Sequence, residues 1–272
     1  MFASLERRAD GTIPVPLRIY GPEAIQPYDE EHKAHLAIDL NNRQFLLPFE
    51  NVGKDGQDIW IAYLNPSPFY DPSLTHAAAH EMADLIHALG ARFIITPSSH
   101  KSEAFIRQAV QLARAKANAR VDLMILPGTK KTGAKNDKGE FIRISEDQVR
   151  TQSAPDLVMS YRPVTSLDHG QLMGMTQAQR DMLRSFHPDG EGILYVDDVL
   201  SAGGTRKTAF SLINRALELP EEYEHTSAFL AVELPWSETY YRALPPSTHT
   251  IIRIPEFVGA LPVPSGNPNR FT

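Results

Sequence analysis

Residues 193 to 205 read Ile-Leu-Tyr-Val-Asp-Asp-Val-Leu-Ser-Ala-Gly-Gly-Thr, and no other stretch restricts the fold so tightly. Ile193 to Val196 are β-branched, aliphatic and aromatic and follow Gly192, the pattern of a short buried strand. From Thr205 to Leu217, Ala209, Leu212, Ile213, Ala216 and Leu217 recur at helical spacing. Between strand and helix stand two adjacent carboxylates, Asp197 and Asp198, and a loop of small residues. Such a loop at a helix N-terminus offers backbone N–H groups and the positive end of the helix dipole to an anion. Gly203 and Gly204 allow close backbone approach, and Ser201 and Thr205 add hydroxyl donors. A phosphate set directly on the carboxylates would be repelled. The acids make better sense one ribose-length away, accepting from sugar hydroxyls. The residues therefore point to a 5-phosphorylated ribose. The plainer alternative is a buried strand, a polar turn and an N-capped helix.

The same run resembles the phosphoribosyl pyrophosphate (PRPP) signature of the type I phosphoribosyltransferases, and the overall pattern of the chain looks nearer to the adenine and related purine enzymes than to the orotate-type ones. The resemblance implies that Asp197 and Asp198 hold the ribose 2′ and 3′ hydroxyls. It places the 5-phosphate on Ser201, Ala202, Gly203, Gly204 and Thr205. There is one departure: many purine enzymes of the family carry Thr where this chain has Ala202, while orotate-type members carry Ala.

Composition excludes several other classes. The chain has 272 residues, enough for one large domain, with 42% hydrophobic and 22% charged residues. Its net charge of −6 argues against a nucleic-acid surface as its main business. It has no cysteine, so disulfides and thiolate metal sites are ruled out. Met1 to Asp10 lack a signal-peptide core, and no stretch approaches about eighteen apolar residues. A cytoplasmic protein without membrane or nucleic-acid partners is expected.

Along the chain, residues 1 to 33, with several prolines and many charges, read as an irregular arm. Ala34 to Leu40 and Arg43 to Phe49 predict a hairpin turning at Asn41-Asn42, and Asp58 to Leu64 a third strand. Together they predict a small antiparallel unit ahead of the main domain, which the resemblance makes a hood over the base pocket. A helix is expected from Asp71 to Leu89, opened by Asp71-Pro72 and stopped by Gly90. His76 and His80 lie on it at metal-ligand spacing, but no third ligand is evident.

Arg92 to Thr96 predicts a strand, Pro97 to Ser102 a polar loop, and Glu103 to Ala117 a helix. This is a second strand–loop–helix unit able to offer N–H groups to an anion. By position it resembles the family's pyrophosphate loop, which implies that Ser98, Ser99, His100 and Lys101 contact the pyrophosphate. Val121 to Leu126 is a buried strand. After it, Pro127 to Gly139 hold Lys130, Lys131, Lys135 and Lys138 between glycines. Composition alone makes this a solvated loop. The resemblance makes it a mobile lid over PRPP, with Lys130 and Lys131 facing the pyrophosphate. Asp156 to Val164 and Gln171 to Met175 read as strands joined by a turn at Asp168-His169-Gly170, and Thr176 with Gln179 as a capping box opening a helix to Phe186. Thr226 to Val232 reads as the last central strand and Ile251 to Ile254 as a possible edge strand. Trp236 either stacks on a base or anchors the tail.

The alternation predicts an α/β fold: a mostly parallel twisted sheet flanked by helices, with a small N-terminal β-rich hood or arm. The expected divisions are 1–57, a phosphoribosyltransferase-like core at 58–232, and a Pro-rich extension at 233–272. The resemblance spans roughly 58 to 232, and only 193 to 205 is a specific motif. It implies transfer of a phosphoribosyl group from PRPP to a nitrogenous base, a purine rather than orotate, with release of pyrophosphate. Asp197, Asp198, Lys130 and Lys131 would be the catalytic groups. Mg²⁺ carried by PRPP, with no direct protein ligand, and a homodimer are also implied. The rival readings are a PRPP-sensing regulator of the same fold without turnover, an orotate-type transferase, and a hydrolase or synthetase on the same fold.

Overall fold

The computed structural model describes residues 18–20, 22–28, 33–51, 58–67, 69–118, 120–126, 128–129, 157–161, 171–200, 203–235 and 247–259. Five strands form the parallel centre: β6 (Phe93–Pro97), β7 (Asp122–Leu126), β11 (Ile193–Leu200), β12 (Thr226–Pro235) and β13 (Thr248–Val258). They lie in the order β13-β12-β11-β6-β7. Four helices among the described residues flank them: α1 (Pro72–Ala88), α2 (His100–Ala117), α3 (Gln177–Phe186) and α4 (Gly204–Leu217). The protein is thus an α/β fold with a mostly parallel sheet covered on both faces.

The two faces are legible in the strand alternation. Ile94, Leu194, Val196, Ala228, Leu230 and Ile252 pack with α1 and α2. Phe93, Ile95, Ile193, Tyr195 and Phe229 pack with α3 and α4. On that second face lies a small antiparallel sheet of β8 (Gly128–Thr129), β10 (Gln171–Met175) and β9 (Leu157–Tyr161) in that order. Its Met173 and Met175 join the core with Leu183 of α3.

The helix starts follow the sequence. Asp71 caps α1, its Oδ1 accepting from the Ser73 and Leu74 N–H groups at 2.8 and 3.1 Å. Gly90, at φ +63°, takes the left-handed turn that ends the run. The capping box of α3 is present in both directions between Thr176 and Gln179.

The antiparallel strands extend the same sheet. β3 (Lys33–Leu40) and β4 (Arg43–Asn51) are joined by Asn41 and Asn42 at φ 47° and 59°, the conformation an Asn-Asn hairpin turn favours. β4 pairs with β5 (Ile59–Ala62), and β5 pairs antiparallel with β13. Two expectations are corrected here. Residues 18–28 are not irregular: β1 (Arg18–Ile19) pairs parallel with β13, and β2 (Ile25–Tyr28) pairs with β3. Nor is β13 an edge strand. It spans Thr248–Val258, and its outer side is taken by β1 lower down and β5 higher up. A proline-rich, charged stretch hid the first pairing, and the second is non-local and therefore invisible to a reading of neighbours.

Two boundaries also differ from expectation. β11 runs on to Leu200, because β12 continues to pair with it as far as Val232. Asp197 and Asp198 therefore sit on a strand and not in the loop after it. α2 begins at His100 and not at Glu103: Ser99 is its N-cap, and the Glu103 N–H already donates to the Ser99 carbonyl at 2.7 Å. No helix among the described residues is long and apolar enough to cross a membrane.

Candidate functional site

The sheet grows outward in two directions from β6 and β11. From β6 the chain crosses through α2 to β7, and from β11 it crosses the other way through α4 to β12. Right-handed crossovers that move in opposite directions must put their helices on opposite faces. That is the arrangement seen, with α2 in one core and α4 in the other. At such a reversal the loops beyond the strand ends diverge and leave a crevice, the usual binding place in open α/β sheets.

The register locates the crevice. β6 and β11 pair only over Phe93–Ile95 and Ile193–Tyr195. Beyond Ile95, β6 stays with β7 through Pro97 and Leu126. Beyond Tyr195, β11 stays with β12, Asp197 opposite Phe229. The two strands thus lose each other at the level of the acid pair.

Ser102, on the first turn of α2, meets the acids from the other side. Its Oγ lies 2.6 Å from Asp197 Oδ1 and 3.2 Å from Asp198 Oδ1. Asp197 Oδ1 also accepts from the Asp198 N–H at 2.9 Å, and its Oδ2 accepts from the Tyr195 hydroxyl at 2.9 Å. Asp197 is 6% exposed, Ser102 and Tyr195 are fully buried, and Asp198 is half-buried. Burial pushes the Asp197 carboxyl well above the usual carboxylate range, and the neighbouring Asp198 charge pushes it the same way.

Both helices that open at the crevice lack a side-chain cap. Ser99 is the extended N-cap of α2 and makes no side-chain cap hydrogen bond. Gly203 is the N-cap of α4 at φ +75°, a conformation natural to glycine. Their first N–H groups are accordingly offered without a side-chain acceptor, each at the carboxyl end of one of the two diverging strands. Gly203, Gly204 and Thr205 are half-buried at the start of α4.

The remaining expected residues are distributed unevenly. Ser98 is tied to β7 by its N–H to the Leu126 carbonyl at 2.9 Å, and both Ser98 and Ser99 are half-buried. His100 is the first residue of α2. Lys101 lies on the first turn of α2 and not in a loop, and its Nζ sits 4.1 Å from the centre of the Tyr63 ring, a cation–π contact. Ser201, Ala202, Lys130, Lys131, Lys135, Lys138, Trp236 and the 168–170 turn lie outside the described residues. Arg206, next to the motif, is spent internally. It donates to Ser227 Oγ at 3.1 Å and to Glu224 at 2.5 Å, and lies over Phe210.

Two groups escaped the sequence reading. Ser102 falls at the end of the polar loop that the sequence predicts, and Tyr195 within its apolar strand run. The period-two rule carries a signal for the second: Tyr195 and Asp197 share a face, so a hydroxyl two residues before the acid can reach it. Ser102 shows no such signal, because its contact spans 95 positions of sequence.

No protein-family model matches the sequence, and no curated protein does. Solved structures are similar in part. An adenine phosphoribosyltransferase of Trypanosoma brucei, solved with AMP, pyrophosphate and ribose-5-phosphate, is 12% identical at a TM-score of 0.39, over 68% of this chain and 66% of that one. One of Giardia lamblia, solved with 9-deazaadenine, is 15% identical at 0.39, over 68% and 82%. A purine phosphoribosyltransferase of Pyrococcus horikoshii is 15% identical at 0.33, over 65% and 80%. The chain spans about two thirds of the trypanosomal enzyme's length. At these values the likeness carries no argument about substrate or activity.

Proposed function

We propose that this protein transfers a phosphoribosyl group from PRPP to a purine base and releases pyrophosphate. The observation that carries this reading is the position of the 193–205 motif. Its acid pair lies where the sheet reverses direction, and its glycines open α4 beside that point. In this reading the acid pair forms the ribose side of the site. The N–H groups at Gly204 and Thr205 hold the 5-phosphate together with the Ser201–Ala202 end of the loop. The first turn of α2, after Ser98 and Ser99, seats the pyrophosphate on backbone N–H groups, with Lys101 beside it on Tyr63. Lys130 and Lys131, which lie outside the described residues, would offer positive charge to the pyrophosphate in this reading and help keep water from the breaking bond.

The chemistry asks little covalent work of the chain. Bond breaking at the ribose C1 leaves positive charge on the sugar and negative charge on the diphosphate. Fixed N–H groups on one side and a carboxylate on the other stabilise that separation. Mg²⁺ would neutralise the diphosphate charge. Among the described residues no three His, Asp or Glu side chains converge as a cage. In this reading the ion arrives on the diphosphate oxygens.

The test is a panel of purines, pyrimidines and orotate with PRPP and Mg²⁺, following pyrophosphate release. Turnover with a purine is expected. Turnover with orotate alone makes it the orotate-type enzyme. PRPP binding without turnover on any base makes the protein a sensor and overturns the transferase reading.

A further inference from the structure

Asp197 and Asp198 are neighbours in sequence but unequal in surroundings. Both Asp197 oxygens are already occupied by the chain's own donors: the Ser102 hydroxyl and the Asp198 N–H on Oδ1, and the Tyr195 hydroxyl on Oδ2. Asp198 is half-buried, has Ser102 Oγ at 3.2 Å, and lies close enough for its carboxyl to share a hydrogen bond with that of Asp197, which favours a proton on Asp197. A serine hydroxyl has one proton. Given to Asp197 at the shorter distance, it leaves Asp198 facing the hydroxyl oxygen rather than a donor.

We propose that Ser102 and Tyr195 are positioning residues that tie Asp197 to the interior, so that Asp198 is the acid presented to the sugar. Charged groups near Asp197 are few, and those on the packed elements are engaged elsewhere. On α2, Lys101 lies over Tyr63, and Glu103 pairs with Arg107 at 2.8 Å. On α4, Arg206 pairs with Glu224. β12 sets Phe229 opposite, and β6 ends in Thr96 and Pro97. From β11 itself come Tyr195 and Asp198. Among the described residues Asp197 thus has donors but no cation. Each donor favours its ionised form against burial and against the Asp198 charge.

Tyr195 therefore has a role that its ring packing does not fulfil. The ring packs edge-on against Phe210 and tilted against Phe229, each at 6.0 Å between centroids, and phenylalanine would keep these contacts. Only the hydroxyl reaches Asp197.

The experiment is a ¹³C carboxyl NMR titration of the whole chain without ligand, backed by calorimetry with PRPP and Mg²⁺. Asp197 is expected to titrate well above the ordinary carboxylate range. Tyr195→Phe and Ser102→Ala should each raise the Asp197 midpoint further, and Asp198→Asn should lower it. A space-filling role for Tyr195 would leave the Asp197 midpoint of Tyr195→Phe at the wild-type value. An Asp197 midpoint in the ordinary carboxylate range, or one indifferent to both hydroxyl deletions, overturns the proposal. In the calorimeter, Asp198→Asn should cost at least about tenfold more PRPP affinity than Asp197→Asn, the worth of one charge-assisted hydrogen bond. Equal losses, or the reverse order, also overturn it. This second arm rests on the PRPP reading. A wild type that ignores PRPP sinks that reading, while the NMR titration still decides the roles of Ser102 and Tyr195.

Discussion

Buried titratable side chains set how this protein answers to acid, and two of them pull in opposite directions. His225 lies just before β12, 1% exposed, and burial lowers its pKa from 6.5 to about 4. Asn214 Nδ2 donates to the Glu221 and Tyr223 carbonyls, so its Oδ1 must accept from His225 Nε2–H, 2.7 Å away. That bond places a proton on Nε2, burial keeps the ring neutral, and the ring serves as a spacer between α4 and β12. Between pH 6.5 and about 4 the unfolded chain takes up a proton that the folded one refuses. Stability is lost as pH falls through that window, up to roughly 3 kcal/mol. Asp197 has the opposite sign. Its raised pKa means the folded state keeps a proton the unfolded state releases, so its contribution weakens as pH rises above the ordinary carboxylate value. Thermal unfolding of the wild type and His225→Gln should therefore diverge below pH 6.5, the variant losing less on acidification. Parallel curves would show that His225 already takes up its proton in the folded state. At this scale the placement of the two acids beside a strand end and a glycine-opened helix was legible in sequence, because an apolar run, two carboxylates and glycines follow one another there. Their unequal surroundings were not, since these depend on a serine that is a neighbour only in space.

Elements were legible where a local rule governs them. The Asn-Asn hairpin, the Asp-Pro helix start of α1 and the Thr-Gln capping box of α3 each rest on contacts within four residues, and each lies where those residues predict. Boundaries at the crevice differ by three to four residues for the opposite reason: β11 is extended by its partner β12, and α2 starts early inside a polar stretch. The start of α4 shows what such a boundary does. Gly203 sits at φ +75°, and a Cβ there would meet only Leu200 Cδ1, at 3.8 Å, which is ordinary contact. Gly203→Ala therefore adds no clash, only the cost of the left-handed conformation, about 1 kcal/mol. The relaxed backbone would re-aim the first N–H groups of α4. A modest fall in Tm with a fall of about fivefold or more in PRPP affinity is expected, partly restored by Gly203→Asn, which tolerates this conformation. A variant that loses stability yet binds PRPP as the wild type does would separate this helix start from the phosphate.

The chain as a whole is tied together through β13 and Glu81. Sequence punctuation divides it at residue 57, as though an arm preceded a core, yet the described strands on either side of that point belong to one sheet. β1 and β5 share the outer side of β13, and β4 pairs with β5. Glu81, buried on α1, accepts from Arg18 of β1 at 2.8 Å and from the Asn41 N–H of the hairpin turn at 2.7 Å. One carboxylate thus joins the N-terminal strand, the hairpin and the first helix of the core, and the core formed with α1 and α2 includes Leu36, Ile38 and Leu47 of the hairpin. Covalent order could not reveal this, because the partners are 40 and 63 positions apart. Cooperativity follows from the shared carboxylate and the shared core. Native-state hydrogen exchange should show amides of β3, β4, β12 and β13 opening together at the global unfolding free energy. Glu81→Ala removes the common acceptor and leaves a guanidinium and an N–H without it, a loss of about 3 kcal/mol for a largely buried pair. In that variant the hairpin and central strands should still lose protection in one step. Should the hairpin exchange early while β12 keeps its full protection, the division at residue 57 is a domain boundary after all, and the sheet pairing across it is too weak to bind the two parts into one folding unit.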